Sequence, residues 1–136
     1  ITYALMHGRQ TLAAIKLRHP YSKHWNGFNE IARFACKTNF NVTGGFSKLL
    51  KHASINHPEK IISYVDTRFG GSGNHCLSAG MKLDHISNQS FWWTDKEHRF
   101  NRMYCKASNG KTELENATSR KLLKIWGCSN LVFVTC

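Results

Sequence analysis

The pattern of apolar and polar positions predicts short strands and short helices. The run KIISYV at Lys60–Val65 is the clearest strand, because β-branched and aromatic residues dominate it, and Asp66 follows at its carboxyl end. A helix with one buried face and Thr43 as its N-cap is predicted by apolar residues at i, i+3, i+4 and i+7 spacing: Phe46, Leu49, Leu50 and Ala53. A strand directly after an amphipathic helix is typical of chains that combine a sheet with helices.

The other predicted elements are shorter. We expect a strand over Ile1–His7 and a strand or a short helix over Asn29–Cys36. The segment Gly8–Gly27 is interpreted as a long connection with a helical turn around Thr11–Leu17, and Phe69–Gly73 as a flexible loop. The remaining predictions are a helix at Asn74–Gly80, a hairpin of Met81–Ile86 with Ser90–Thr94, a helix from Thr112 to Arg120 or Lys121 with a capping box, and a closing strand pair of Leu122–Trp126 with Leu131–Val134. This order predicts an α+β fold with a mixed central sheet and flanking helices.

Composition predicts one folded domain over residues 1–136 and a polyanionic partner. The chain holds 19 Lys and Arg against 8 Asp and Glu, a formal net charge of +11, which favours nucleic acid as the partner. No apolar run approaches the ~20 residues of a membrane span, so a membrane partner is not expected. The first residue is Ile, which predicts that the native N-terminus is missing. The five cysteines have irregular spacing without a CxxC pair, which argues against a zinc site and favours reduced thiols in a cytoplasm.

The middle of the chain resembles a domain of phage homing-endonuclease-type proteins, the mobile-intron and free-standing endonucleases. The resemblance covers roughly residues 28–136 and rests on a Glu-x-x-Arg-Phe segment, a Gly-Gly-x-Ser-Lys-Leu helix and a strand that ends Ser-Tyr-x-Asp-x-Arg: Glu30, Arg33, Phe34, Gly44, Gly45, Ser47, Lys48, Leu49, Ser63, Tyr64, Asp66 and Arg68. It implies a DNA endonuclease of a phage mobile element that works in the cytoplasm of an infected bacterial host. It implies no catalytic residues.

The order of elements also resembles the fold of GNAT-type N-acyltransferases. In that family a Gln/Arg-x-x-Gly-x-Gly/Ala loop opens a helix and binds the pyrophosphate of coenzyme A through backbone N–H groups. The corresponding run here is Asn41 to Phe46, with Asn41 at the first position and Phe46 where the family has a small residue. A phenyl ring at that place would obstruct the pyrophosphate, so no coenzyme A binding is expected.

Two acidic residues are the candidate metal ligands and catalytic groups. Asp66 ends a buried strand, where α/β sheets place their chemistry, and Glu30 is a second oxygen ligand. Together they would hold Mg²⁺ or another divalent metal, which neutralises the charge that builds up on a cleaved phosphodiester. The alternative is a structural role, in which Asp66 pairs with Arg68 or Arg33 and holds a loop in place.

Three further side chains complete the predicted catalytic set. Arg33 and Arg68 could clamp a phosphate through two parallel hydrogen bonds each. His85 follows Asp84, as at the start of an HNH nuclease motif, and would activate water; a strand histidine with an ordinary hydrogen bond is the alternative.

Basic and aromatic residues make up the predicted surface for double-stranded DNA. The candidates are Lys48, Lys51, Arg99, Arg102, Lys106, Lys121 and Trp92. Each basic set alone is typical of a solvated face, whereas together they favour a surface that follows phosphates. Trp92 could stack on a base or a ribose.

The sequence thus predicts a metal-dependent DNA endonuclease of a phage mobile element. Two alternatives stay open: a non-catalytic DNA-binding domain that directs such a nuclease, and a GNAT-like acyl or group transferase. Bound coenzyme A would select the transferase, and metal-dependent nicking by this chain would select the nuclease.

Overall fold

The computed structural model describes all residues, Ile1–Cys136, and the chain divides into two compact units. The first unit consists of Ile1–Ser87 and Asn130–Cys136, and the second of Asn88–Ser129. None of the helices has the length and apolar character needed to span a membrane.

The first unit is built on one mixed sheet with helices packed against it. Its strands are β1 (Thr2–His7), β2 (Gln10–Arg18), β3 (Asn29–Cys36), β4 (Ile61–Asp66), β5 (Lys82–Ile86) and β9 (Asn130–Val134). Its helices are α1 (Gly45–Asn56), α2 (Thr67–Gly70) and α3 (Asn74–Ser78), with a 3₁₀ turn at Lys23–Trp25. The strand order is β1-β2-β3-β4-β9-β5, and only β3 and β4 are parallel, because α1 carries the chain back across the sheet between them. The predicted α+β mixed sheet with flanking helices is confirmed.

Apolar side chains cover both faces of this sheet. The predicted buried face of α1 is confirmed: its four apolar residues pack on the sheet with Ile15, Ile61 and Phe133. On the opposite face, Trp25 packs against Ile62 and Val132. Burial on both faces explains why β4 is so apolar a strand.

Several local predictions fail because strand partners are distant in sequence. Thr11–Leu17 is not a helical turn but most of β2, in which Ala13, Ile15 and Leu17 are buried at every second position. The predicted hairpin and the predicted closing pair are also wrong. The strand β9 pairs with β4 and β5 in the first unit, and the strand after Asn88 pairs within the second unit.

The second unit is a small three-stranded sheet covered on one face. It contains β6 (Phe91–Thr94), β7 (Arg99–Phe100), α4 (Glu113–Ser119), β8 (Leu123–Trp126) and a 3₁₀ turn at Arg102–Cys105, with the strand order β7-β6-β8. Trp93 is the centre of its core and packs with Cys105, Ala117 and Leu122. The predicted capping box is confirmed: Thr112 and Glu115 satisfy each other's backbone N–H at the start of α4.

Candidate functional site

The two parallel strands of the first unit separate after a short paired stretch. Only Asn29 and Glu30 of β3 pair with β4, opposite Ile61 and Ile62. Beyond Glu30, β3 carries an extra residue, Ala32, relative to its other neighbour β2, and such a bulge bends a strand. The strands therefore diverge, and the backbone groups that face each other across the opening have no partner in the sheet.

The diverging strands enclose a wedge-shaped cavity of about 290 Å³. Its lining includes side chains of both strands and of α3: Ile31, Arg33, Phe34, Ser63, Val65 and His75. This wedge combines apolar walls with unpaired backbone amides. It can therefore hold an extended chain that itself contains amide groups.

A second cavity of about 360 Å³ lies at the start of α1 and shares Phe34, Phe46 and His75 with the wedge. Thr43 does not cap the helix, contrary to the prediction from sequence. The N-cap is Gly44 in the left-handed conformation with φ +71°, and no side chain caps the helix. The N–H groups of Phe46 and Ser47 have no acceptor in the protein, since the first helical bond runs from Lys48 to Gly44. This cavity therefore presents free N–H groups at the positive end of a 12-residue helix, an arrangement that can accept an anion.

The ring of Phe46 does not obstruct this loop. Phe46 is only 7% exposed, and its ring makes edge contacts with Phe34 and His75 at centroid distances of 5.3 and 5.0 Å. Its side chain belongs to the core while its backbone N–H stays at the surface. The argument that a phenyl ring must block a pyrophosphate here is therefore wrong.

His75 lies where the two cavities meet, and the sequence analysis did not single it out. The imidazole forms no hydrogen bond within the protein, and the residue is exposed although one side of its ring contacts Phe46. Partial burial lowers the pKa of His75 below its usual value, so the ring is neutral near pH 7 and can accept a proton. The sequence did contain one signal: His75 lies two residues after Gly73, the end of the glycine-rich segment that follows the clearest strand.

The two predicted metal ligands do not converge. Asp66 pairs with Arg68, with 2.6 Å between the carboxylate and the guanidinium, and caps α2 through the N–H of Arg68. This pair lowers the pKa of Asp66. Glu30 is buried and pairs with Arg18 across the β2–β3 ladder. Glu30 lies opposite Ile62 and Asp66 is four residues further along β4, so they are about 13 Å apart along the strand.

The predicted Mg²⁺ site is therefore wrong. A divalent ion needs oxygen ligands within about 2.0–2.6 Å, and Asp66 and Glu30 each face an arginine instead of each other. Nowhere in the chain do three His, Cys, Asp or Glu side chains form a group that could hold a metal.

The other predicted catalytic residues lie in different places. Arg33 lines the wedge, whereas Arg68, in α2, is engaged with the N-cap residue Asp66. His85 is on β5, separated from β4 by β9 and thus about 10 Å from the wedge strand. It pairs with Asp84 at 2.7 Å and stacks on Trp25. The sheet therefore brings Asp66 and Arg33 to the wedge and keeps His85 away from it.

The predicted DNA-binding residues are divided between the two units. Lys48 and Lys51 are exposed on α1 in the first unit. The others belong to the second unit, where the Arg99 guanidinium lies 4.4 Å from the Trp92 ring centroid and Arg102 pairs with Glu113. Lys106 and Lys121 are exposed there as well. Binding of double-stranded DNA by these residues stays a prediction.

Comparison with known proteins identifies the fold. The sequence matches no protein-family model and no curated protein sequence. An IAA acetyltransferase from Bacillus cereus superimposes with a TM-score of 0.58 and 15% identity, over 98% of this chain and 75% of that protein. A GNAT family acetyltransferase from Elizabethkingia anophelis, solved with acetyl-CoA bound, superimposes with a TM-score of 0.57 and 14% identity, over 98% of this chain and 74% of that protein. A tandem GNAT protein from the clavulanic acid biosynthesis pathway superimposes with a TM-score of 0.51 and 11% identity, over 80% of this chain and 36% of that protein.

These similarities correct the functional predictions. The resemblance to homing endonucleases is wrong as a guide, because nearly the whole chain superimposes on acetyltransferases. The predicted phage endonuclease activity and its metal dependence are wrong with it. The expectation of no coenzyme A is also overturned, since a protein of this fold holds acetyl-CoA and Phe46 leaves the loop open. The mixed sheet with its flanking helices has the GNAT-like fold of these acetyltransferase structures.

Proposed function

We propose that this chain transfers an acyl group from an acyl-coenzyme A to an amine. The observation that carries the proposal is the uncapped start of α1, with two free N–H groups, at the mouth of the wedge between β3 and β4. An anion site joined to an apolar slot fits a ligand with a pyrophosphate at one end and an extended amide chain at the other. The GNAT neighbour with bound acetyl-CoA supports the same ligand.

Each part of the ligand has a counterpart in the site. The N–H groups of Phe46 and Ser47 would bind the pyrophosphate, and Gly44 lets the backbone approach because a Cβ there would meet only open space. The unpaired backbone of β3 and β4 would bind the amides of the extended arm. The first unit carries eleven Lys and Arg against four Asp and Glu, which favours a polyanionic ligand.

His75 is the candidate proton acceptor. Coenzyme A, when bound, supplies the acyl group as an activated thioester. The amine would form the new C–N bond as the thioester C–S bond breaks, and the departing thiolate would take up a proton. The attacking amine must itself lose a proton, and a neutral imidazole at the junction of both cavities can take it. The apolar side chains of Phe34 and Phe46 line the same two cavities.

Titration calorimetry with acetyl-CoA tests the binding step. We expect saturable binding, and we expect Asn41→Asp to weaken it about tenfold, because a like charge a few ångströms from a phosphate repels it by about 1–2 kcal/mol. Asn41 is an exposed residue that lines the cavity at the start of α1, so the change alters charge without disturbing the core.

Asn109→Asp is the matched control for this experiment. It makes the same chemical change in an exposed turn of the second unit, at a residue that lines neither cavity. Its affinity for acetyl-CoA should equal that of the unchanged protein. Absence of saturable heat with acetyl-CoA would exclude coenzyme A as the ligand. Equal weakening of binding by both variants would show that the coenzyme A site is not at the start of α1.

A further inference from the structure

The second unit carries a cluster of aromatic rings and cations that acyl transfer does not use. Lys124 contacts the rings of Phe91 and Trp126, with its Nζ 4.2 and 4.9 Å from their centroids. Arg102 lies 4.8 Å from the centroid of Phe91. Together with Trp92 we call these residues the aromatic–basic cluster: Phe91, Trp92, Arg102, Lys124 and Trp126.

A cavity of about 320 Å³ opens beside this cluster. Phe91, Trp92 and Trp126 supply its apolar walls, and Gln89, Asn101 and Arg102 supply polar groups. Trp126 is 63% exposed, whereas Trp93, in the core of the second unit, is 2% exposed. Such exposure of a tryptophan is unusual, because this side chain is on average highly buried. The volume is at the lower end for small-molecule sites and suits a flat ring with hydrogen-bonding edges.

Most cations of the second unit have no acidic partner. The unit contains eight Lys and Arg against four Asp and Glu. Only Arg102 forms an ion pair with a carboxylate, Glu113. Asp95 and Glu115 accept hydrogen bonds from nearby backbone N–H groups. The positive charge near the rings is therefore available to an anionic ligand, whose negative charges would replace the missing carboxylates.

Exposed rings and unpaired cations together match one class of ligand. Single-stranded nucleic acid presents unstacked bases to aromatic rings and phosphates to cations, and stacking occurs on any base. A duplex offers its phosphates but keeps its bases stacked, so Trp126 would add little to duplex binding. An acidic protein segment would use the cations and leave the amide of Gln89 and the exposed ring of Trp126 without a role.

We propose that the aromatic–basic cluster binds single-stranded nucleic acid. One base stacks on Trp126 in the cavity, the amides of Gln89 and Asn101 contact its edge, and Lys124 contacts a flanking phosphate. This site lies wholly in the second unit and does not depend on the acyl-transfer proposal.

Fluorescence anisotropy with a labelled 12-nucleotide oligodeoxythymidylate tests the proposal on the whole chain at low salt. Trp126→Ala should weaken binding at least tenfold, because stacking on one aromatic ring contributes about 1–3 kcal/mol per base. Trp126→Phe should restore most of the affinity, since it keeps a ring. Thermal melts of both variants exclude a folding defect as the cause.

Two lysine variants of the second unit distinguish binding at the aromatic–basic cluster from nonspecific attraction to positive charge. Lys124→Gln removes a cation from the cluster, and Lys111→Gln removes an exposed cation that contacts no ring. We expect about tenfold weakening for the first and at most twofold for the second. Equal weakening by both, or unchanged binding in Trp126→Ala, would mean nonspecific polyanion binding and overturn the proposal. Tighter binding of a 12-base-pair duplex, equal competition by polyphosphate, or no binding would overturn it as well.

Discussion

Gly73→Ala should lower the free energy of unfolding by about 3 kcal/mol and the melting temperature by roughly 10 °C. Gly73 is the N-cap of α3 with φ +73°, a conformation that costs an alanine about 1–2 kcal/mol. A Cβ there would lie 2.4 Å from the ring of Phe133, which is 1% exposed and cannot move aside without disturbing the core. Differential scanning fluorimetry and urea unfolding measure the loss.

Gly80→Ala is the matched control, because it separates backbone strain from the clash. Gly80 follows α3 with φ +83°, and a Cβ there meets nothing within 4 Å. It should therefore cost only the strain, about 1 kcal/mol. Equal losses in the free energy of unfolding of the two variants would show that the ring of Phe133 moves aside to accommodate the new methyl group. Since α3 carries His75, Gly73→Ala should also disturb the wedge and the cavity at the start of α1 and weaken acetyl-CoA binding. Gly80→Ala should leave acetyl-CoA binding intact.

His75→Gln should reduce kcat for acyl transfer about 100-fold while leaving the affinity for acetyl-CoA within twofold. Gln approximates the size of the imidazole but accepts no proton near neutral pH. Burial lowers the pKa of His75, so the neutral form dominates at pH 7 and is lost only as the pH falls through that lowered pKa. The activity of the unchanged protein should therefore fall on the acid side, below about pH 6.5. The Gln variant should lack this acid limb.

The measurement is thiol release from acetyl-CoA with a panel of primary amines, over pH 5 to 8. His98→Gln, on the exposed surface of the second unit, is the control and should change neither rate nor pH profile. A Gln variant that keeps the rate and the acid limb would exclude His75 as the proton acceptor. Calorimetry on the same proteins shows whether any lost rate reflects lost acetyl-CoA binding.

Phe46 shows where two inferences from the sequence conflicted. Its spacing with Leu49, Leu50 and Ala53 predicted a buried helix face, and its place in a glycine loop predicted an obstructed anion site. Both predictions concerned the same phenyl ring, which can lie in the core or in the glycine loop but not in both. Packing decided in favour of the core, because burying a phenyl ring is worth about 1.5–3 kcal/mol and leaves the backbone N–H free at the surface.

Short motifs misled the functional prediction for a related reason. Glu30 and Asp66 belong to two separate motifs, and the strands place them about 13 Å apart and give each its own arginine. His75, which no motif marked, lies at the junction of the two cavities because α3 folds back against α1. Catalytic geometry depends on such contacts between distant segments, and the residue types alone do not determine it.

The sequence by itself determined what depends on neighbours along the chain. The strand β4, the buried face of α1, the capping box of α4 and the α+β order of elements follow from local periodicity and spacing. Only the tertiary structure decided which strands pair, where β3 and β4 separate, and which way Phe46 points. Strand pairing joins residues such as Ile62 and Val134 that lie far apart in the chain, and its energy comes from burying the first fully and the second partly at the same time. The wedge that carries the proposed function is an outcome of that pairing.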